Sequence, residues 1–279
     1  LLLLPPAAMA QTFRLPSYVS VQGGLGNEGY QDAALNAGLS LPGNWQLEAG
    51  ADKTLINASD DSGKIFSKGI HAGFGSDPLC DFSFRLMGES WQVPDDVTAA
   101  GGRLGVTYAP GVWLFTIEVI GQTMKFTNLP VLVSSTREMT VQDSGVNFRV
   151  STAMIRKWNI FVAASGHHYD RDLSQLADLP AITLNNMPGS VMTTLTGLSR
   201  NDVSLGATRM FRRFDVGIEG GRSIAAIDSV RTRRLGLNGM FYLSRRWSFG
   251  LNTMTFWPEA TQESAASSNS TSAIAIYKW

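Results

Sequence analysis

The residues able to do chemistry in this chain are ionisable groups of both signs, scattered along it and always set within alternating runs. Glu48, Asp52, Asp81, Arg85, Glu89, Arg103, Glu118, Arg149, Asp215, Glu219 and Arg234 all fall on the polar side of such runs. On one face of a strand, groups of this kind hydrate an interior, pair with one another, or select charged solutes. A second cluster is the histidine pair in "GHHYDRD", 166–172. An Asp beside a His could position a water as nucleophile, but adjacent strand residues point to opposite faces, so the two histidines make a poor chelating pair. The single Cys80 offers neither a disulfide nor a metal-ligand spacing. No lipase-type nucleophile elbow or phosphate loop occurs. The sequence implies no cofactor and no metal.

These groups need elements with two different faces. In "WQLEAGADKTL" Trp45, Leu47, Ala49 and Ala51 form one face and Gln46, Glu48, Gly50 and Asp52 the other. Period two of this kind is a strand. "VWLFTIEVIGQ" and "WSFGLNTMTFW" repeat the arrangement, the latter with Trp247, Phe249 and Leu251 against Ser248, Gly250 and Asn252. About fourteen such segments of roughly ten to thirteen residues follow one another, with twelve to sixteen possible; each has the length of a tilted strand that crosses a bilayer. The expected spans are 17–26, 31–41, 45–56, 65–75, 80–91, 97–108, 112–124, 139–152, 157–168, 200–211, 214–224, 230–243, 246–257 and 271–279, with 139–152 and 190–211 the least regular. Nothing divides them, so 11–279 reads as one domain.

Connections alternate between tight turns, such as Pro42-Gly43-Asn44 and Arg245-Arg246, and longer polar loops. Just after the tight turns stand Trp45, Trp113, Trp158, Phe214 and Trp247; Trp91 and Trp257 mark the loop-side ends. A soluble sandwich, or a barrel holding a small ligand, also alternates. It has no reason to set five aromatics at one height. A girdle at a membrane–water interface has that reason, because Trp buries its ring while its N–H stays wet.

Composition agrees. Charged residues are 16% of the 279, well below the roughly 25% of soluble domains. Equal numbers of basic and acidic residues, 23 each, argue against a nucleic-acid partner. The start, "LLLLPPAAMAQ", reads over residues 1–10 as the remnant of a secretory signal with an Ala8-Met9-Ala10 cleavage site.

The end, "SAIAIYKW", resembles the last strand of bacterial outer-membrane β-barrel proteins, porins and channels among them. In that family the terminal aromatic and the one two places before it serve the barrel-assembly machinery, which assigns that role to Trp279 and Tyr277; the family's usual last residue is Phe. The resemblance implies an all-β, up-and-down transmembrane barrel in the outer membrane, in contact with its lipids and with the assembly machinery. The expected function is passage of small polar solutes, passive or selective, through a lumen lined by the ionisable residues above. Their mixed signs set no anion or cation preference. Inward glycines such as Gly38, Gly50, Gly69 and Gly217 are expected to leave the lumen room. The loop 169–199, with its apolar "LADLPAITL", either folds into the lumen or packs on its neighbours or a second subunit. A barrel anchoring an export or attachment system is the alternative, and a rim-sited hydrolase, similar to omptin-type proteases, is the third reading. Oligomeric state is left open by the sequence.

Overall fold

The computed structural model describes residues 16–27, 30–57, 64–76, 81–93, 97–127, 138–152, 155, 157–176, 198–227, 229–259 and 267–279. Fourteen antiparallel strands run up and down: β1 (Tyr18–Gly26), β2 (Gln31–Leu41), β3 (Trp45–Asn57), β4 (Lys64–Ser76), β5 (Phe82–Val93), β6 (Val97–Tyr108), β7 (Trp113–Phe126), β8 (Met139–Thr152), β9 (Trp158–Tyr169), β10 (Ser199–Met210), β11 (Phe214–Ala225), β12 (Arg231–Tyr242), β13 (Trp247–Pro258) and β14 (Ser268–Lys278). They match the expected spans, with ends shifted by up to three residues. Each strand pairs with its sequence neighbours, and β1 pairs with β14, from Tyr18↔Lys278 to Gly26↔Ser270, to close the barrel. Closure leaves no strand with unpaired edge N–H and C=O groups.

The alternation fixes which face is which. Along β13, Trp247, Phe249 and Leu251 point outward, while Ser248 is buried inside. Val21, Leu35, Leu47, Ile117, Val162, Leu205, Ile218 and Leu237 are likewise exposed on the outer face. Water would penalise so much bare apolar surface; lipid does not. A strand of twelve residues is about 40 Å long, and at a tilt near 40° it rises about 30 Å, enough to cross the hydrocarbon layer.

At the tight-turn end the outward aromatics meet in pairs, three stacked and one tilted. Trp45 lies 4.6 Å from Phe74, Phe82 4.8 Å from Tyr108, Phe211 4.4 Å from Phe214, and Trp247 4.9 Å from Tyr277, centroid to centroid. Positive φ values at Gly43, Asn44, Gly111 and Lys157 let the chain reverse in few residues there.

Leu251 is 59% exposed on the outer face, and Asn252 faces inward from the next position. Leu251→Arg is expected to cost about 2–4 kcal/mol of folding free energy in bilayers if it lies near the midplane. Asn252→Arg costs much less. Urea titrations in lipid vesicles measure both; equal losses would contradict the assigned faces.

Candidate functional site

The site is the inner wall. Even spacing along antiparallel strands gathers polar side chains there, and the pairing register decides which of them meet. Arg85 on β5 donates to Glu48 on β3 at 2.5 Å across the intervening Gly73–Gly75 stretch of β4. Arg103 on β6 pairs with Glu89 on β5 and reaches Glu118 on β7 at 4.0 Å, while Asn147 on β8 donates to Glu118 at 2.8 Å. On the opposite side Arg234 on β12 binds Asp202 on β10, with Nη2 to Oδ1 at 2.8 Å, and Glu219 on β11 at 3.6 Å. The Arg149 guanidinium lies 3.9 Å from the centre of the Phe161 ring. Asp215 accepts a hydrogen bond from the Tyr242 hydroxyl at 2.5 Å.

Two arginines are thus each shared by two carboxylates. Asp32, Asp52 and Asp215 face inward with no ion pair among the described residues. The inner face is acid-rich, where the sequence had suggested no preference of sign. Asp32, Asp143 and Asp202 were missed in the sequence, although they keep the phase of the polar positions around them.

Glycines act differently from the expectation that they would leave space. A side chain at Gly38 would collide with the Tyr18 ring, at Gly69 with the Asp52 carboxylate, and at Gly145 with the His167 ring. The room beside each is taken by a neighbouring strand's side chain lying along the wall.

Near the loop end the inner wall turns apolar. Val93, Val97, Ala99, Met124, Phe126, Met139 and Val141 point inward and pack with Leu173 and Leu176, both in a short 3₁₀ turn (Leu173–Leu176), and with Leu198, Ala226 and Ile227. Met124, Phe126 and Val141 are fully buried. The first part of the 169–199 loop therefore seats against the inside of the barrel; the rest of its apolar run, 177–184, lies outside the described residues. Asp172 anchors the turn by accepting the Ser174 N–H at 2.9 Å, which holds its carboxyl below the usual carboxylate range.

This cluster corrects one girdle residue. Trp91 shares the phase of Glu89 and Val93, faces inward and packs on the cluster, instead of meeting lipid. Trp257 does point outward. Asp81 stands in the turn before β5, with its carbonyl accepting Ala109 N–H at 2.7 Å, so it lies at the rim and not on the wall. His167 faces inward, 3.0 Å from Asp143, and His168 outward. Among the described residues no group of His, Cys, Asp and Glu could hold a metal ion.

The chain matches no protein-family model and no curated protein sequence. Solved structures do match over almost its whole length. The CymD monoaromatic hydrocarbon channel shares 10% identity over 96% of this chain and 89% of its own, with a TM-score of 0.59. The toluene transporter TodX of P. putida shares 9% over 96% and 90%, at 0.54. The NanC porin shares 8% over 94% and 99%, at 0.50. The fold is that of outer-membrane channel barrels. At these identities the likeness establishes architecture alone.

Replacing Trp91 with Phe is expected to leave quenching of tryptophan emission by brominated lipid unchanged, while Trp257→Phe reduces it. Steady-state fluorescence in brominated-lipid vesicles decides; a loss of quenching on replacing Trp91 would return it to the lipid face.

Proposed function

We propose that the chain is a channel of a Gram-negative-type bacterial outer membrane, through which small polar solutes diffuse. The tight turns then face the periplasm and the long loops face outward. The observation that carries the reading is Arg85: it points into the barrel, yet 51% of its side chain remains accessible to solvent. A barrel filled by its own side chains would bury such a residue. Water reaching Arg85, three residues in from the tight-turn end of β5, and the exposed inward Asn252 near the middle of β13, together with an outer face that suits lipid, is the arrangement of an aqueous pore.

The acid-rich wall favours cations and neutral polar solutes, since rings of carboxylates attract cations and repel anions. The apolar cluster at the loop end narrows the path on one side; connections contribute Leu173, Leu176 and Leu198 to it from 169–199 and Ala226 and Ile227 from the next loop-side connection. That cluster is also what favours the second reading, a barrel sealed at its mouth and serving as an anchor.

Planar-bilayer recording separates the two. The purified protein is expected to form ion-conducting pores. Deleting 173–192 should raise the single-channel conductance without preventing assembly, because shortening a loop changes closure entropy slowly. Glu48→Gln with Glu118→Gln should move the reversal potential toward anion preference, as Arg85 loses its partner and Arg103 one of two. A folded protein that conducts neither with nor without the loop would remove the channel and leave the anchor.

A further inference from the structure

The tight turns are not alike around the rim. The turn after β8 presents Lys157, the turn after β10 Arg212 and Arg213, and the turn after β12 Arg245 and Arg246, all exposed. Each turn is bonded to the next strand along. Met210 N–H donates to Lys157 O, Tyr242 N–H to Arg213 O, and Lys278 N–H to Arg246 O, each at 2.8 Å. The cations therefore form one continuous arc from β8 to β14. Across the barrel, the turns at 42–44 and 109–112 carry no charge, and the connection 77–81 carries only the acidic Asp77 and Asp81. The arc's own turns contain no Asp or Glu, and Asp215, at the start of β11, is turned inward onto Tyr242.

Cations in adjacent turns repel unless an anion lies among them. Their height says which anion. Phe214 and Trp247 stand one residue beyond Arg213 and Arg246, with their rings on the outer face. Arg209 stacks there too, its guanidinium 5.4 Å from the Trp158 ring and 5.1 Å from that of Phe211. Aromatic rings of a girdle sit at the headgroup boundary, so the residues just past them meet the phosphates. The girdle runs right round the barrel, with Trp45–Phe74 and Phe82–Tyr108 on the side whose turns carry no cation. Among the described residues, only the arc adds positive charge to it.

We propose that this arc binds phosphate-bearing lipid headgroups of the leaflet at the turn end, gathering anionic phospholipid along β8–β14 and not along β2–β7. The proposal rests on the membrane-spanning reading above, and the experiment separates the two. Each cation near an anionic surface contributes about 1 kcal/mol, close to a fivefold preference.

Two single-tryptophan forms of the full chain serve as reporters, one retaining Trp247 on the arc and one retaining Trp113 beside the uncharged turn 109–112. Both are folded into vesicles of phosphatidylcholine with a minor share of brominated phosphatidylglycerol, or of brominated phosphatidylcholine as reference. Heat-modifiable gel mobility confirms the closed barrel in each. Trp247 is expected to report at least about a fivefold local enrichment of the anionic lipid, and Trp113 none. The enrichment should vanish in 1 M salt with the unaltered turns, and at low salt in Arg212→Gln/Arg213→Gln/Arg245→Gln/Arg246→Gln. Equal quenching at the two sites overturns the proposal, as does an enrichment that survives both salt and substitution. Binding of soluble polyglutamate without any lipid preference would also overturn it, in favour of an acidic protein partner. A chain that never inserts would instead fail the channel reading.

Discussion

The rest of the structure depends on the pairing of β1 with β14. In hydrocarbon an unbonded backbone N–H or C=O costs several kcal/mol, so a sheet is tolerable there only without edges. Nine residue pairs from Tyr18↔Lys278 to Gly26↔Ser270 remove both edges, and Trp279 N–H extends the seam to Ser17 O at 3.0 Å. Once the sheet is closed, period two acquires its meaning: one face is outside and the other encloses a space. Every statement about lipid contact or lumen lining follows from that division.

Within the enclosed space two regimes coexist. Over most of the wall the side chains are polar, and shared ion pairs such as Glu89–Arg103–Glu118 and Asp202–Arg234–Glu219 hold long side chains against the wall. Glycines opposite bulky neighbours let those side chains lie flat. Toward the loop end of β5–β8 the same face is lined with Val97, Met124, Phe126 and Val141, buried under Leu173 and Leu176. A hydrated path can follow the first regime but not the second. The second regime is completed by residues outside the strands, Leu173, Leu176 and Leu198 from one connection and Ala226 and Ile227 from another.

Much of this was legible in the sequence, and the exceptions share a cause. Strand number, strand limits and the outward face followed from alternation, because lipid on one side and water on the other impose a simple pattern. Where the inner wall turns apolar, the pattern loses its contrast. In β8 the inward Met139 and Val141 and the outward Val146 and Phe148 are both apolar, which is why 139–152 looked irregular. Trp91 was read from its position at a strand end, whereas its phase, odd against the even Phe82, Phe84 and Leu86, already pointed inward. Partners across the lumen wall, such as Asp202 for Arg234, depend on register between strands far apart in sequence, and no local pattern carries that.

The central claim is that successive residues of one strand face lipid and water in turn. Cysteine scanning along β13 tests it directly, with Cys80 replaced by Ser and the protein reconstituted in vesicles. A membrane-impermeant thiol reagent is expected to label cysteines at the solvent-reached inward positions 252 and 254 and to spare those at 249 and 251, whose native side chains meet lipid. Labelling that ignores the alternation, or that reaches none of the inward positions, would contradict the account.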